Sequence, residues 1–443
     1  MAKKTPVIIF FEPGTVKTLV QRLPLPTVAN VLCHETEREA AQELGTVIAG
    51  YSEGWLAPCR EDMTSLGLIL EPFKDRQIIV PTLSEQIPPH VRTTLALLGF
   101  SDILELTPTH SHMVHLPAKP NSDSVRSLLL KACGGIGNVV LLTPLLHASL
   151  SQGWKTTFCP VSDLNGGSLG ELFRGDAPSG LSIVEPDKAI HASADVILNV
   201  EANTLRSPLD FHHNPYRIGA PGHEPAFAAR FFENVTGVAV DISNTFVGGT
   251  TESVPRRLRH RIVICPGSKP SWDSKRWPHM NALLRKLEDP LILCKKADLA
   301  AYRDLPFLTP ITARNAEFLT DLNLFQAASL LRSAKAVVAN DCGMAHVAAA
   351  AGVPTLILFG PSSLEKNRHH RANVLSLSLG LECQPCQGAT SGPGRLGPGA
   401  YSCLEGYRCF AELSVETVLD ALDTAASFPA TTRNSLGAEI SGL

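Results

Sequence analysis

The sequence has no apolar run long enough to cross a membrane, which needs about 20 consecutive apolar residues. Its first apolar run, Val7 to Phe11, is also shorter than the core of a signal peptide. These two absences favour a cytoplasmic protein. The chain also lacks a strong charge of either sign, because its formal net charge is -3. A balanced charge gives no global field to attract nucleic acid, so no nucleic-acid partner is expected.

The composition has neither the low hydrophobicity of a disordered chain nor the bias of a coiled coil. Hydrophobic residues make up 44% and charged residues 18% of the 443 residues, which is typical of folded globular proteins. A chain of this length is expected to form two or three domains of about 100 to 200 residues each. Eleven cysteines are many for such a protein, and four of them cluster late in the chain.

Short apolar runs alternate with helical patterns over most of the chain, which favours an α/β fold with parallel sheets covered on both faces. Residues 117–124 are rich in proline and serine and lack an apolar period, so they are predicted to be a linker. Before this linker we expect a small N-terminal domain with no chemical motif and a helix from Glu37 to Leu44. The predicted units are an N-terminal extension over 1–120, two Rossmann-like halves over 125–250 and 258–425, and a tail over 426–443.

The segment from Asn340 to Pro354 lies between two predicted strands and carries the strongest functional signal. A helix that begins near Gly343 would direct its free N–H groups and positive dipole end to the carboxyl edge of the sheet, where a diphosphate could bind. We expect Asp341 to cap this helix and His346, one turn inside it, to reach a phosphate or a sugar hydroxyl. The alternative from spacing alone is a packed Ala-rich helix with an incidental histidine.

A basic loop gives the second signal, directly after the predicted strand from Arg261 to Cys265. Three cations, Lys269, Lys275 and Arg276, would lie near the carboxyl edge of that strand. Cations at this position can neutralise a leaving diphosphate, which is often a large contribution to catalysis. The alternative is a solvated basic loop.

Together the two motifs resemble the bacterial heptosyltransferase family, glycosyltransferase family 9. In that family a proline-glycine loop leads to a lysine, an aromatic residue and a proline, and a later aspartate, small residue, glycine and histidine precede an Ala-rich helix. The resemblance spans roughly residues 127 to 423. The matching positions are Lys275, Trp277, Pro278, Asp341, Cys342, Gly343 and His346, followed by Phe359, Gly360 and Pro361.

This resemblance implies the GT-B fold, two Rossmann-like domains facing a cleft, with the donor on the second half and the acceptor facing the first. It implies an inverting transfer of a sugar, in the first place heptose from ADP-heptose, to a glycan, a lipopolysaccharide core or a protein. No cofactor is implied for the transfer, contact with a membrane surface is allowed, and the oligomeric state is left open. The positions implied for donor binding are Ser268, Lys269, Asp341, Cys342, Gly343, Met344 and His346, and those implied for catalysis are Asn138 and Lys275.

Two positions depart from the family. Cys342 replaces a hydroxyl residue, which removes a good hydrogen-bond donor. Asn138, in a Gly-rich turn that begins at Cys133, replaces an aspartate thought to activate the acceptor hydroxyl, and an amide cannot accept a proton at neutral pH. Three interpretations stay open: another base such as Asp163 or a nearby histidine, an amide that only orients the hydroxyl, or a non-catalytic nucleotide-sugar-binding protein. A dinucleotide fingerprint fails here, because Val140 stands where the third glycine belongs.

The late cysteines form the last candidate site. A close pair followed by two further thiols is compatible with a tetrahedral thiolate site for iron or zinc, and a reducing cytoplasm disfavours disulfides. The later pair is spaced more widely than in a usual zinc knuckle, so free or redox-active thiols remain the alternative. Some heptosyltransferases that modify autotransporter proteins resemble this layout, with an extra N-terminal domain and a late cysteine cluster that binds iron. The four cysteines are Cys383, Cys386, Cys403 and Cys409.

Overall fold

The described strands of the computed structural model form three sheets, one in the predicted N-terminal extension and one in each predicted Rossmann-like half. Among the described residues, no helix is both long enough and apolar enough to span a membrane. Asp163 and most of the predicted tail lie outside the described residues. The structure describes residues 5–11, 14–51, 69–83, 91–92, 95–96, 98–116, 122–162, 166–175, 178–189, 193–201, 216–219, 224–269, 272–386, 403 and 405–428.

The N-terminal sheet has six strands in the order β3-β2-β1-β4-β5-β6. Only β6 runs antiparallel to its neighbour, and buried apolar side chains cover both faces. The expectation of a small domain is therefore not confirmed, because this sheet has as many strands as the C-terminal one. The strands are β1 (Val7–Ile9), β2 (Ala29–His34), β3 (Gly45–Tyr51), β4 (Ile78–Pro81), β5 (Asp102–Leu106) and β6 (Ser111–His115), with helices α1 (Val16–Arg22) and α2 (Arg38–Ala41).

The second sheet is parallel, in the order β11-β10-β7-β8-β9, and its central strands lie on the apolar runs 127–133, 156–159 and 195–200, for which the sequence predicts strands. The sequence pattern also predicts one helix from Asn138 to Leu150, and this prediction is wrong, because the helix is broken at Leu142. Pro144 has no N–H to donate to the carbonyl of Val140, and the Thr143 hydroxyl donates to that oxygen instead, at 2.7 Å. The elements are β7 (Ser127–Gly134), α3 (Ile136–Leu141), α4 (Thr143–Ser151), β8 (Lys155–Ser162), β9 (Leu181–Ile183), α5 (Pro186–Ala189), β10 (Val196–Glu201), β11 (Tyr216–Gly219) and α6 (Glu224–Thr236).

The third sheet is parallel throughout, in the order β14-β13-β12-β15-β16-β17. The expectation of an α/β fold with parallel sheets is confirmed. Its strands are β12 (Ile262–Cys265), β13 (Leu291–Leu293), β14 (Glu317–Leu319), β15 (Ala336–Asn340), β16 (Thr355–Leu358) and β17 (Val374–Leu377). Its helices are α7 (Met280–Lys286), α8 (Lys296–Asp304), α9 (Leu324–Arg332), α10 (Gly343–Ala350), α11 (Leu364–Asn367), α12 (Arg408–Ala411) and α13 (Val415–Ala426).

The second and third sheets are packed together by one continuous apolar cluster. The segment that joins them is held from the C-terminal side by arginine side chains. Arg332 donates to the carbonyls of Val247 and Gly248 at 2.7 and 2.9 Å, and Arg371 donates to the carbonyl of Thr245 at 2.5 Å. These charge-assisted bonds to three backbone carbonyls hold the joining segment against the third-sheet unit.

Candidate functional site

The basic loop and the Asp341 segment emerge side by side from the third sheet. The strand order reverses between β12 and β15, which are hydrogen-bonded neighbours. In open α/β sheets, ligands bind outside the carboxyl ends of the strands at such a switch point. The loop from Pro266 follows β12 and the segment from Asp341 follows β15, so both predicted motifs border that point.

A buried amide ties the basic loop to β15. Asn340 is fully buried, and its side chain donates to the carbonyl of Pro266 at 2.7 Å and accepts from the backbone N–H of Trp277 at 3.2 Å. The Trp277 ring is itself buried and donates from Nε1 to the carbonyl of Leu413 at 3.0 Å. The aromatic residue of the motif therefore anchors the loop to β15 and to the segment that contains Leu413.

The two predicted charges of the site form an ion pair. The distance from Lys275 Nζ to Asp341 Oδ2 is 2.7 Å, and the two side chains are 12% and 3% exposed. Asn367 Nδ2 donates to the same carboxylate oxygen at 3.0 Å. Burial alone would raise the pKa of Asp341, but the Lys275 ammonium and the His346 ring hold this pKa well below its usual range. Asp341 is thus a buried carboxylate that holds the Lys275 ammonium in place.

The expectation that Asp341 caps helix α10 is wrong. The N-cap residue is Cys342. The Asp341 carboxylate contacts Lys275 and His346 instead. Burial raises the pKa of the Cys342 thiol to about 11, against the opposing effect of the backbone N–H groups of Ala345 and Met344. The cap thiol is therefore neutral, and the positive end of α10 carries no anionic side chain of its own.

His346 lies inside α10 and is buried, as the Ala-rich helix around it predicts. Its Nε2 is 3.4 Å from Asp341 Oδ1, and its Nδ1 is 2.9 Å from Nε2 of His369. The first distance is long for a hydrogen bond, and the second is the ordinary length of one. The ring is thus held firmly on one side and loosely on the side of the ion pair.

The Gly-rich turn of the second sheet meets this helix directly. A Cβ atom on Gly137 would lie 2.4 Å from the Cδ2 atom of His346, and a Cβ atom on Gly343 would lie 2.8 Å from the Cβ atom of Ile136. Each glycine makes room for a side chain of the other sheet. Asn138 directly follows Gly137 in α3 and is half-buried.

Ser268 and Lys269 occupy the start of the basic loop and are half-buried. The Ser268 hydroxyl donates to the carbonyl of Lys269 at 3.3 Å, and the N–H of Trp272 donates to that carbonyl at 3.0 Å. These bonds fold the loop back on itself before Lys275. The cation of Lys275 also lies 5.0 Å from the centroid of the Trp272 ring, within the range of a cation–π contact.

The four late cysteines come close enough to affect one another. The pKa of the Cys409 thiol is raised to about 12, first by burial and then by Cys403, Cys386 and Cys383. Burial also raises the pKa of Cys386, with Cys383 and Cys403 as further causes. Within the described part of the chain, however, no three His, Cys, Asp or Glu side chains stand close enough to hold a metal ion. The donor chemistry fits a thiolate metal site, and the described geometry does not show one.

Three residues of the site escaped the sequence reasoning: Asn340, Asn367 and His369. Asn340 opens the segment with the strongest functional signal but has no predicted role, although a buried asparagine needs partners for its amide. Asn367 and His369 lie 26 and 23 residues from the groups they bind. Nothing in the local pattern predicts that this segment folds back over Asp341, because the contact depends on the loop that follows β16.

The comparisons with known proteins agree with the motifs. Residues 240–395 match the model of glycosyltransferase family 9 (heptosyltransferase). The chain is similar to lipopolysaccharide heptosyltransferase 1 of Pseudomonas aeruginosa, with 32% identity over 123 residues, 26% of this chain and 34% of the relative. It is also similar to lipopolysaccharide heptosyltransferase 2 of Escherichia coli K12, with 32% identity over 134 residues, 28% of this chain and 38% of the relative.

The chain thus spans about a third of the length of these curated relatives. Among solved structures it is similar to an iron-containing dodecameric glycosyltransferase from enterotoxigenic E. coli H10407, with a TM-score of 0.47 and 17% identity, covering 72% of this chain and 79% of that one. The matched residues 240–395 include the basic loop and the Asp341 to His346 segment. The resemblance inferred from those two motifs is confirmed.

The ion pair can be tested by removing its members singly and together. Lys275→Met leaves the buried Asp341 carboxylate without its ammonium, and we expect a loss of about 3 to 5 kcal/mol in the free energy of unfolding. The double variant Lys275→Met/Asp341→Asn should lose much less, because no buried charge remains. Urea denaturation of the wild type, both single variants and the double variant measures the coupling. Additive losses would contradict the pairing.

Proposed function

We propose that the protein is an inverting glycosyltransferase that uses a nucleotide sugar, in the first place ADP-heptose, because residues 240–395 match the model of glycosyltransferase family 9 (heptosyltransferase). One observation carries the proposal. The buried Lys275–Asp341 pair lies at a switch point of the third sheet, beside the start of helix α10. A lysine ammonium beside the N-terminal end of a helix suits a diphosphate.

In the proposed reaction an acceptor hydroxyl attacks the anomeric carbon of the donor sugar, and the nucleoside diphosphate leaves from the opposite face. Negative charge grows on the bridging oxygen and the phosphates as that bond breaks. Lys275, with Ser268 and Lys269 at the start of its loop, stabilises this charge. Asp341 supports the step indirectly, because its carboxylate fixes the position of the Lys275 ammonium. Fixed charge needs no reorganisation in the transition state, which favours turnover over ground-state binding.

The start of helix α10 would hold the remainder of the donor. Gly343 and Met344 are half-buried and belong to the first turn, whose backbone N–H groups have no partner within the helix. His346 contributes its Nε2, which is 3.4 Å from Asp341 and can be shared with a donor oxygen. Cys342, a neutral thiol, offers only a weak hydrogen bond, so sugar recognition at this position rests on the backbone.

The second sheet would supply the acceptor side of a GT-B cleft. Its strand order reverses between β7 and β10, and the Gly-rich turn that follows β7 contacts α10 through Gly137 and His346. An acceptor hydroxyl beside Asn138 would therefore approach the donor from the opposite wall. The names of the curated relatives favour a lipopolysaccharide-related acceptor, with other glycans and proteins as alternatives. Such an acceptor suits a protein that works in the cytoplasm and contacts the membrane surface.

A second candidate is a nucleotide-sugar-binding protein that transfers nothing. Asn138 favours it, because an amide cannot take the proton of an acceptor hydroxyl. The half-buried His147 on α4 is a candidate for a replacement base, and burial lowers the pKa of its ring, so it is neutral and able to accept a proton at neutral pH. Donor binding is common to both candidates, and only transfer separates them.

The donor can be identified by protection against thermal unfolding. A nucleotide sugar that binds only the folded protein should stabilise it by about 2.7 kcal/mol at about 100 times its dissociation constant. We expect ADP-heptose and ADP to raise the melting temperature of the wild type, and to have no effect on the variant Lys275→Met/Asp341→Asn. If neither compound protects the protein and another nucleotide sugar does, that nucleotide sugar replaces ADP-heptose as the proposed donor. Protection by no nucleotide would contradict both candidates.

Asn138 decides between enzyme and binding protein. If it lies beside the acceptor hydroxyl, Asn138→Asp supplies a base and should raise turnover, because a positioned base contributes about 10² to 10⁴-fold. Asn138→Ala is the matched variant. A fall in turnover in Asn138→Ala indicates that the amide orients the acceptor in a working enzyme. If the wild type and Asn138→Asp both bind donor and transfer nothing to lipopolysaccharide core, glycan or peptide acceptors, the enzyme proposal fails.

We also propose that Cys383, Cys386, Cys403 and Cys409 hold one structural iron or zinc ion, which takes no part in the transfer. The mutual effect of these thiols on their pKa values supports the proposal, because a cation would favour the thiolate forms that are costly in its absence. The alternative to a metal site is that the four cysteines are free or redox-active thiols.

Elemental analysis of protein purified without chelator tests the metal proposal. We expect close to one iron or zinc per chain, and the loss of that metal in Cys383→Ser/Cys386→Ser. Cys294→Ser is the matched control, since Cys294 is a half-buried thiol outside the cluster, and it should retain the metal. Metal-free protein before and after reconstitution with either ion would favour free thiols.

A further inference from the structure

His369 is a buried residue to which the proposed mechanism gives no role. It lies between α11 and β17 and is 8% exposed. Its Nε2 is 2.9 Å from Nδ1 of His346, whereas its own Nδ1 is buried and has no hydrogen-bond partner among the described residues. Among the described residues, the His369 ring therefore makes its hydrogen bond to Nδ1 of His346 alone.

The protonation of this pair is constrained at both ends. At one end, burial lowers the pKa of His369 well below its usual value, with His346 and Arg371 as further causes, so that its ring is neutral and carries one proton. At the other end, His346 Nε2 faces the Asp341 carboxylate at 3.4 Å. A bare nitrogen lone pair facing a carboxylate would be repulsive, so Nε2 of His346 carries a proton.

Two arrangements satisfy that condition. In one, His369 donates from Nε2 to the bare Nδ1 of His346, and both rings are neutral. In the other, His346 is an imidazolium that donates to His369, and the single proton of His369 is on Nδ1, where no protein group accepts it. The buried Nδ1 of His369 has no partner among the described residues in either arrangement, so the two differ in charge. The first keeps both buried rings neutral, whereas the second places a charge on a buried ring, and a buried charge is costly.

We propose that His369 is a positioning residue that fixes His346 as the neutral tautomer with its proton on Nε2, so that this N–H faces the donor site. The inference rests on the proposed function for its consequence in turnover, but the tautomer itself belongs to the protein without donor. The bond to His369 also fixes the plane of the His346 ring, because Nδ1 can accept from His369 only in one orientation.

The tautomer matters because the Nε2–H is only weakly engaged. At 3.4 Å from Asp341 it makes a long contact, and a donor oxygen that enters beside Lys275 can take the same N–H at a shorter distance. With the proton on Nδ1 instead, His346 would present a lone pair to a phosphate or hydroxyl oxygen. His369 would thereby decide whether His346 attracts or repels the donor.

The tautomer can be read from the ring ¹⁵N chemical shifts of protein labelled at histidine, without any donor. We expect His346, assigned by the signal lost in His346→Gln, to be neutral with its proton on Nε2. His369→Leu removes the donor to Nδ1 and should give a mixture of tautomers. His369→Gln carries an amide N–H of similar reach and should restore the single form. A wild-type His346 that is an imidazolium, or protonated on Nδ1, would overturn the proposal.

Steady-state kinetics with varied ADP-heptose then tests the consequence. We expect His369→Leu to lower kcat/KM for the donor by about 10-fold or more, as the loss of a partner that orients a functional histidine commonly does, and His369→Gln to recover most of it. His370→Leu is the matched control, since His370 is the exposed neighbour, and it should behave as wild type. Equal activity in His369→Leu and His370→Leu would overturn the positioning role. If the wild type itself transfers nothing, the proposed function fails and the tautomer result stands alone.

Discussion

The candidate site depends on one buried ion pair, Lys275 with Asp341, because each charge would be costly to bury without the other. The pair joins the two loops that follow β12 and β15, the neighbouring strands between which the strand order reverses. A buried pair of this kind contributes little net stability compared with apolar packing. At the carboxyl edge of the sheet, a fixed ammonium suits the anionic ligand that we propose.

Around this pair the protein assembles groups whose value is positional. Asn340 holds the basic loop to β15, and Asn367 donates to the same Asp341 oxygen that Lys275 contacts. The reciprocal contacts of Gly137 with His346 and of Gly343 with Ile136 bring the second sheet against the first turn of α10. A side chain at either glycine would push the sheets apart. Asn138, which departs from the family pattern, directly follows the first of these glycines in α3.

The sequence predicted most of the central strands because their apolar runs are short, continuous and bounded by turn residues. It predicted Lys275 and Asp341 as site residues because both follow such strands, and it missed that they bind each other. The cap assigned to Asp341 failed because a buried lysine competes for the carboxylate more strongly than a backbone N–H does. The six-stranded N-terminal sheet was missed since strands such as β3, with the sequence Gly-Thr-Val-Ile-Ala-Gly-Tyr, begin with a glycine and lack a clear period. His369 could not be predicted, because its contact depends on how a loop returns.

The most direct test of the account is a crystal structure of the protein with a nucleoside diphosphate bound. The account predicts that the phosphates lie between Lys275 Nζ and the backbone N–H groups that begin α10, with Asp341 still in contact with the lysine and with the His346 Nε2 facing the ligand. A diphosphate bound at the carboxyl edge of the N-terminal sheet, or one that leaves Lys275 paired only with Asp341, would contradict it.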